Sequence, residues 1–270
     1  MRKSCVFLTW LLLAGSCIQG QSIYLRGGSG AALSTSPDII PDYTINIGSG
    51  NIEKVTSKEA GNGTGLPFAV AAGYKFNKFL GIELGVNYLA GFAVSNTIDY
   101  GTVSVETKKQ CSMLSLVPAA VLTFPAGKVN PYARLGLKLG ILNRVIFNDH
   151  VAPGSNHTEI ITKSVDYGGI AVGVQAAAGA EYPLNKLVSV FGEIQVDGIS
   201  YSPKHGKYTK YTEDGVDKMG SRTVNQNHWD FVKSLDNNKT IPADQPDEVA
   251  IQNFAFNNAG VVVGLLFRIR

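Results

Sequence analysis

Residues 80–92 read Leu-Gly-Ile-Glu-Leu-Gly-Val-Asn-Tyr-Leu-Ala-Gly-Phe. Leu80, Ile82, Leu84, Val86, Tyr88, Ala90 and Phe92 are apolar, while Gly81, Glu83, Gly85, Asn87 and Gly91 between them are small or polar. Side chains alternate across a strand, so this stretch has one greasy face and one face of glycines and charges. A soluble sheet buries its greasy face against a second layer. A single sheet in lipid turns that face outward, and the small and charged residues opposite fit the second arrangement.

The same rhythm recurs along the chain. It predicts strands over residues 22–33, 66–76, 80–92 and 112–124, then over the alternation Ala133 to Ile141, residues 167–182, Val188 to Asp197 and Gly260 to Arg270. In the fifth, Leu135, Leu137 and Leu139 alternate with Arg134, Gly136 and Lys138; in the last, Val261, Val263 and Leu265 alternate with Gly260, Val262 and Gly264. Each reaches the ~9–11 residues that cross a bilayer on a tilt. The connections alternate in length. Tight turns are expected at Asn77-Lys78, Ala126-Gly127-Lys128 and Leu184-Asn185-Lys186, and long polar loops over about 34–63, 96–110, 148–163 and 202–253. That sorting specifies an all-β, eight-stranded antiparallel up-and-down transmembrane barrel. An even strand count puts both termini on the short-turn side. Pro118 falls inside the fourth strand, where its missing N–H predicts a bulge.

Composition agrees. Of 270 residues, 44% are hydrophobic and 17% charged, with 30 glycines. No apolar run beyond the leader approaches the ~20 residues of a spanning helix. Residues 1–20 read as a secretory signal: Arg2 and Lys3, an apolar core from Val6 to Ala14, then small residues Gly15, Ser16 and Gly20. Residues 21–270 would form the barrel domain. A competing reading makes Cys17 a lipid-modified N-terminus, although Ala14 stands where such sites usually carry leucine. With Cys5 and Cys17 in the leader, Cys111 is the one remaining thiol, which excludes a disulfide scaffold. The formal charge of +3 gives no sign of a nucleic-acid partner.

Gly73-Tyr74-Lys75-Phe76, Leu80 to Tyr88, Asn130-Pro131-Tyr132-Ala133-Arg134-Leu135-Gly136 and the end Val263 to Arg270 resemble the OmpA/OmpX-like family of eight-stranded outer-membrane barrels. The resemblance implies residence in the outer membrane of a Gram-negative-type bacterium, amid its lipid and lipopolysaccharide. It also implies that Phe267, Ile269 and Arg270 act as the signal read by the barrel-assembly machinery, with Phe267 standing in for the usual terminal aromatic.

Eight strands leave a lumen just wide enough to be filled by side chains. The inward faces are predicted to carry Arg26, Lys75, Arg134, Lys138 and Arg268 against Glu83, Glu181, Glu193 and Asp197. Mixed signs favour a plugging salt-bridge network over an ion path. Aromatic girdles are expected from Phe76, Phe79, Phe124, Tyr132, Tyr182 and Phe267 at the short-turn end, and from Phe92, Tyr100, Phe147, Tyr167 and Tyr201 at the other. His150, His157, His205 and His228, with Ser155, Ser202, Asp214 and Ser221, fall in the long loops without catalytic or metal-ligand spacing. No enzyme, metal or cofactor is expected. Trp229, Phe231 and Val232 could form a small cap. The function expected is structural or surface recognition through the loops, toward an extracellular ligand the sequence does not name. A narrow channel for small or apolar solutes, and then a lipid A-modifying enzyme, are the alternatives.

Overall fold

The computed structural model describes residues 22–36, 38–46, 51–100, 103–152, 158–236 and 238–269, with the backbone alone for 38–46, 51–55 and 57–60. The predicted leader and Arg270 therefore lie outside the described residues. Eight strands close on one another in chain order: β1 (Ser22–Ser34), β2 (Gly65–Lys75), β3 (Leu80–Gly91), β4 (Ser104–Thr123), β5 (Asn130–Ala152), β6 (Ala171–Pro183), β7 (Val188–Tyr201) and β8 (Asn258–Ile269). All neighbouring pairs are antiparallel, and β8 returns to β1 with Leu25 opposite Phe267 and Ala31 opposite Val261. Closure leaves no barrel strand with a free edge.

The faces sort as the two-residue period requires. Along β3, Leu80, Ile82, Leu84, Val86 and Tyr88 are exposed, while Gly81, Glu83, Gly85 and Asn87 are buried. Val70, Leu135, Leu137, Val172, Ile194, Val263 and Leu265 join the outward apolar band. In water such a surface would be an aggregation hazard; in a bilayer it faces acyl chains. Two short turns share one device. Asn77 Oδ1 accepts the N–H groups of Phe79 and Leu80 at 2.8 and 2.9 Å, and Asn185 Oδ1 accepts those of Leu187 and Val188 at 2.8 Å. The third turn uses Gly127 at φ +80°, a conformation that suits glycine.

Four expectations need correction. The irregularity in the fourth strand is not at Pro118: Leu84–Pro118 pairing with β3 is regular, and the shift lies between Leu114 and Ser115, with Ile141 as the extra residue of β5. The β4–β5 ladder has no pair at 117 or 118, so the missing N–H is absorbed by a gap in one ladder. The sixth strand does not run from 167. Gly168 and Gly169 take φ +77° and +76° and break the chain between the strand Ile160–Tyr167 and β6. The long loops are largely built. β4 starts at Ser104, β5 continues to Ala152, and further strands occupy Asp38–Asn46, Asn51–Ala60, Val94–Asp99, Ile160–Tyr167 and His205–Glu213. Last, Tyr132 and Tyr201 are not girdle residues. Both are buried and point inward, whereas Phe76, Phe79, Phe124, Tyr182, Phe267 and Phe92 are exposed.

Candidate functional site

The nine charged side chains expected in the lumen are all inside the barrel, in three groups. Near the middle, Glu193 on β7 accepts Arg26 Nη2 at 2.8 Å, Tyr132 Oη at 2.8 Å and Arg134 Nε at 3.2 Å, with a second, bidentate contact from Arg134 Nη2. Glu83 on β3 takes the other side of both guanidiniums, 3.5 Å from Arg26 Nη1 and 3.2 Å from Arg134 Nη1, and accepts Tyr24 Oη at 2.7 Å. Arg26 also stacks over the Phe191 ring, 3.9 Å from its centroid. Two guanidiniums, two carboxylates and two phenols from four strands, β1, β3, β5 and β7, therefore satisfy one another. Gly73 makes room for this set, because a Cβ there would fall on the ring of Tyr24.

Toward the short-turn end, Glu181 pairs with Arg268 and lies 3.8 Å from Lys75 Nζ. Toward the outer end, Lys138 pairs with Asp197, whose Oδ1 also accepts Gln175 Nε2 at 3.0 Å. Above that the interior turns apolar. Leu89, Cys111, Met113, Val145, Ala171, Ile199, Tyr201, Phe254 and Phe256 form one buried cluster at the outer mouth. Tyr201 and Phe256 are 0% exposed and meet edge to face at 6.1 Å between centroids. The cluster bears on function because it stacks a dry layer on a charged one. Sequence reasoning missed Tyr24, Phe254 and Phe256. The signal was there: Phe254, Phe256 and Asn258 continue the inward alternation of β8 backward into the expected loop.

Outside the mouth, residues after 202 build a cap. The strand His228–Val232 runs antiparallel to His205–Glu213 and parallel to Asp247–Ala250. Trp229 does pack, edge to face on Tyr208 at 5.2 Å, and its Nε1–H donates to Asp166 Oδ1 at 3.2 Å. Gly206 leaves room for that indole. A cavity of about 610 Å³ opens here, walled by Phe147, Tyr208, Trp229 and Phe231, with Asp166, Asp247, Arg222 and Gln226 supplying polar groups. The Arg222 guanidinium lies 4.0 Å from the Tyr211 ring centroid and donates to Asn227 Oδ1 at 2.9 Å.

Asp166 is 4% exposed, and burial pushes its carboxyl up to about 6, against the bond from Trp229, which lowers it. A raised acid favours the folded state fully below its ordinary value near 3.8, and that advantage is lost as pH rises through about 6. Wild type should therefore lose up to about 3 kcal/mol relative to Asp166→Asn between pH 4 and 7. Urea unfolding of both proteins across that range checks this. A pH-independent difference would contradict it.

The loop histidines are scattered. His150 lies 2.9 Å from Glu159 and His205 2.6 Å from Asp230, both pairs near solvent. His228 is exposed in the cap, and His157 and Ser155 lie outside the described residues. Among the described residues no group of three or more His, Cys, Asp or Glu side chains could hold a metal.

A family model described as "Outer membrane protein beta-barrel domain" matches residues 27–221. No curated protein matches the sequence. Two solved structures are similar in fold. Ail, the attachment invasion locus protein of Yersinia pestis, is 10% identical, with 92% of this chain and 97% of that one covered and a TM-score of 0.34. The outer membrane protease OmpT from Escherichia coli is 10% identical at the same coverage, with a TM-score of 0.31.

Proposed function

The chain belongs to the outer membrane protein beta-barrel domain family and lies in the outer membrane of a Gram-negative-type bacterium, and from that premise we propose that it is a sealed barrel acting in recognition at the cell surface rather than in transport. One observation carries the reading: the lumen is filled along its length. Paired charges occupy its lower and middle parts, and the cluster around Tyr201 and Phe256 closes the outer mouth. An ion entering would have to displace a guanidinium from two carboxylates, at several kcal/mol. What remains available to other molecules is the outer surface, where the cavity beside Trp229 has the aromatic walls and convergent polar groups of a ligand site. On this reading the cap holds an extracellular ligand and no chemistry is assigned to the barrel. Phe267 and Ile269, both exposed on the outer face of β8, would serve the barrel-assembly machinery, as would Arg270, which lies outside the described residues.

Planar bilayers test the sealed barrel. Purified protein at neutral pH is expected to insert without discrete conductance steps. Reproducible openings would transfer the function to the narrow-channel alternative.

A further inference from the structure

On the outward wall, where β5 and the strands Ile160–Tyr167 and His205–Glu213 rise side by side, the greasy band ends abruptly. Leu135, Leu137, Ile141 and Leu142 on β5 are exposed and apolar, and the next outward residue is Arg144. A groove of about 650 Å³ crosses this boundary. Ile141, Leu142, Ile146 and Val165 line it with apolar surface, and Arg144, Lys163 and Lys207 stand among and above them. Tyr167 lies at the junction, with Lys207 Nζ 5.6 Å from its ring centroid.

The register fixes how these cations are spread. Arg144 stands beside Tyr167, Val165 beside Lys207 and Ile146 beside Val165, while Lys163 lies one outward position higher beside Lys210. The three cations thus occupy three strands and three successive outward positions, with Cα atoms roughly 8–14 Å apart. No carboxylate lines the groove. Among the described residues, no ion pair joins Arg144, Lys163 or Lys207 to an acid. The outward acids to either side, Asp230 and Glu159, are held by His205 and His150. The five cations of the barrel lumen, by contrast, all face carboxylates. Three cations without an acidic partner, lining a groove that starts at the lipid-facing Ile141 and Leu142, form a complementary surface for an amphiphile with acyl chains below and more than one anionic group above.

We infer that this groove is a binding site for the phosphorylated glycolipid of the outer leaflet, with its phosphates on Arg144, Lys163 and Lys207 and an acyl chain along Ile141 and Leu142. The site lies on the outer wall, away from the lumen and the cap cavity, so it stands or falls independently of the sealed-barrel reading.

Binding of diphosphoryl lipid A to the folded protein in detergent tests the site, read by native mass spectrometry. Folding of every variant is first checked by its shift on an unheated gel. The triple variant Arg144→Gln/Lys163→Gln/Lys207→Gln is expected to weaken binding by about 30-fold or more, consistent with three lost charge-assisted contacts. A control with equal charge change, Lys108→Gln/Lys128→Gln/Lys233→Gln, should bind as wild type does. Dephosphorylated lipid A should bind wild type as weakly as lipid A binds the triple variant. Inorganic phosphate in excess should not displace the lipid. The inference is overturned if the triple variant binds like wild type or if the control loses as much. It is also overturned if phosphate alone competes fully, which would leave a simple anion site.

Discussion

Replacing Glu193 by alanine is expected to destabilise the folded barrel by about 3–5 kcal/mol. The side chain is 1% exposed and is the shared acceptor of Arg26, Arg134 and Tyr132. Without it, two guanidiniums stay buried with Glu83 as their only carboxylate. Glu193→Gln keeps an acceptor and loses the charge, so it should fall between wild type and alanine. The paired change Arg134→Met/Glu193→Leu removes one charge of each sign and should cost less than Glu193→Ala alone, because a missing partner hurts more than a missing pair. Urea titrations of the refolded protein, followed by the folded band on unheated gels, measure all three. A cost below about 1 kcal/mol for Glu193→Ala would mean that water reaches the network and that the lumen is not dry.

Phe256→Ala is the second large effect. Phe256 is 0% exposed and its ring packs against Tyr201 in the outer cluster, so truncation should cost about 3–5 kcal/mol of packing and cavity energy. The same cluster contains Cys111, which is 3% exposed and donates its thiol hydrogen to Asn62 Oδ1 at 3.2 Å. A maleimide that cannot cross membranes therefore reports on the seal. In wild type Cys111 should react very slowly, and in Phe256→Ala its labelling should accelerate by about two orders of magnitude, as local opening of the cluster becomes cheaper. Equal rates in both proteins would show that Phe256 does not close the mouth. The charged layer beneath remains intact in this variant, so labelling is expected to rise without the appearance of ion conductance.

The parts of the fold visible from sequence are those bathed in lipid. There, one face must be apolar and the other must not, and residues such as Leu84 and Glu83 declare their sides. The lumen charges were legible for the same reason: Arg134 lies between Ala133 and Leu135, and Lys138 between Leu137 and Leu139. Above the membrane both faces of a strand are wet, and the signal fades. Thr107-Lys108-Lys109-Gln110 reads as loop, yet it continues β4 in register with β5. Tyr132 and Tyr201 show a different failure. An aromatic at a strand end suggests a girdle, but parity decides. Tyr132 shares the face of Arg134, and Tyr201 shares that of Asp197 and Ile199. Phe254 and Phe256 keep the inward parity of β8, but only Phe254–Ala255 is a strand, and the pattern is set inside a polar connection of about fifty residues that reads as loop.

The strands that outgrow the bilayer have a mechanical meaning. From Leu142 to Ala152, β5 continues without a break, flanked by β4 and by Ile160–Tyr167, itself paired with His205–Glu213. At ordinary strand rise, less the tilt, that is a parapet standing roughly 25 Å proud of the acyl layer on one sector of the rim. Because each plank is hydrogen-bonded to the next, it resists bending far better than a free loop would. The protein thus holds its distal tip at a fixed height above the membrane. An approaching molecule meets a stiff, lopsided turret before it meets the membrane.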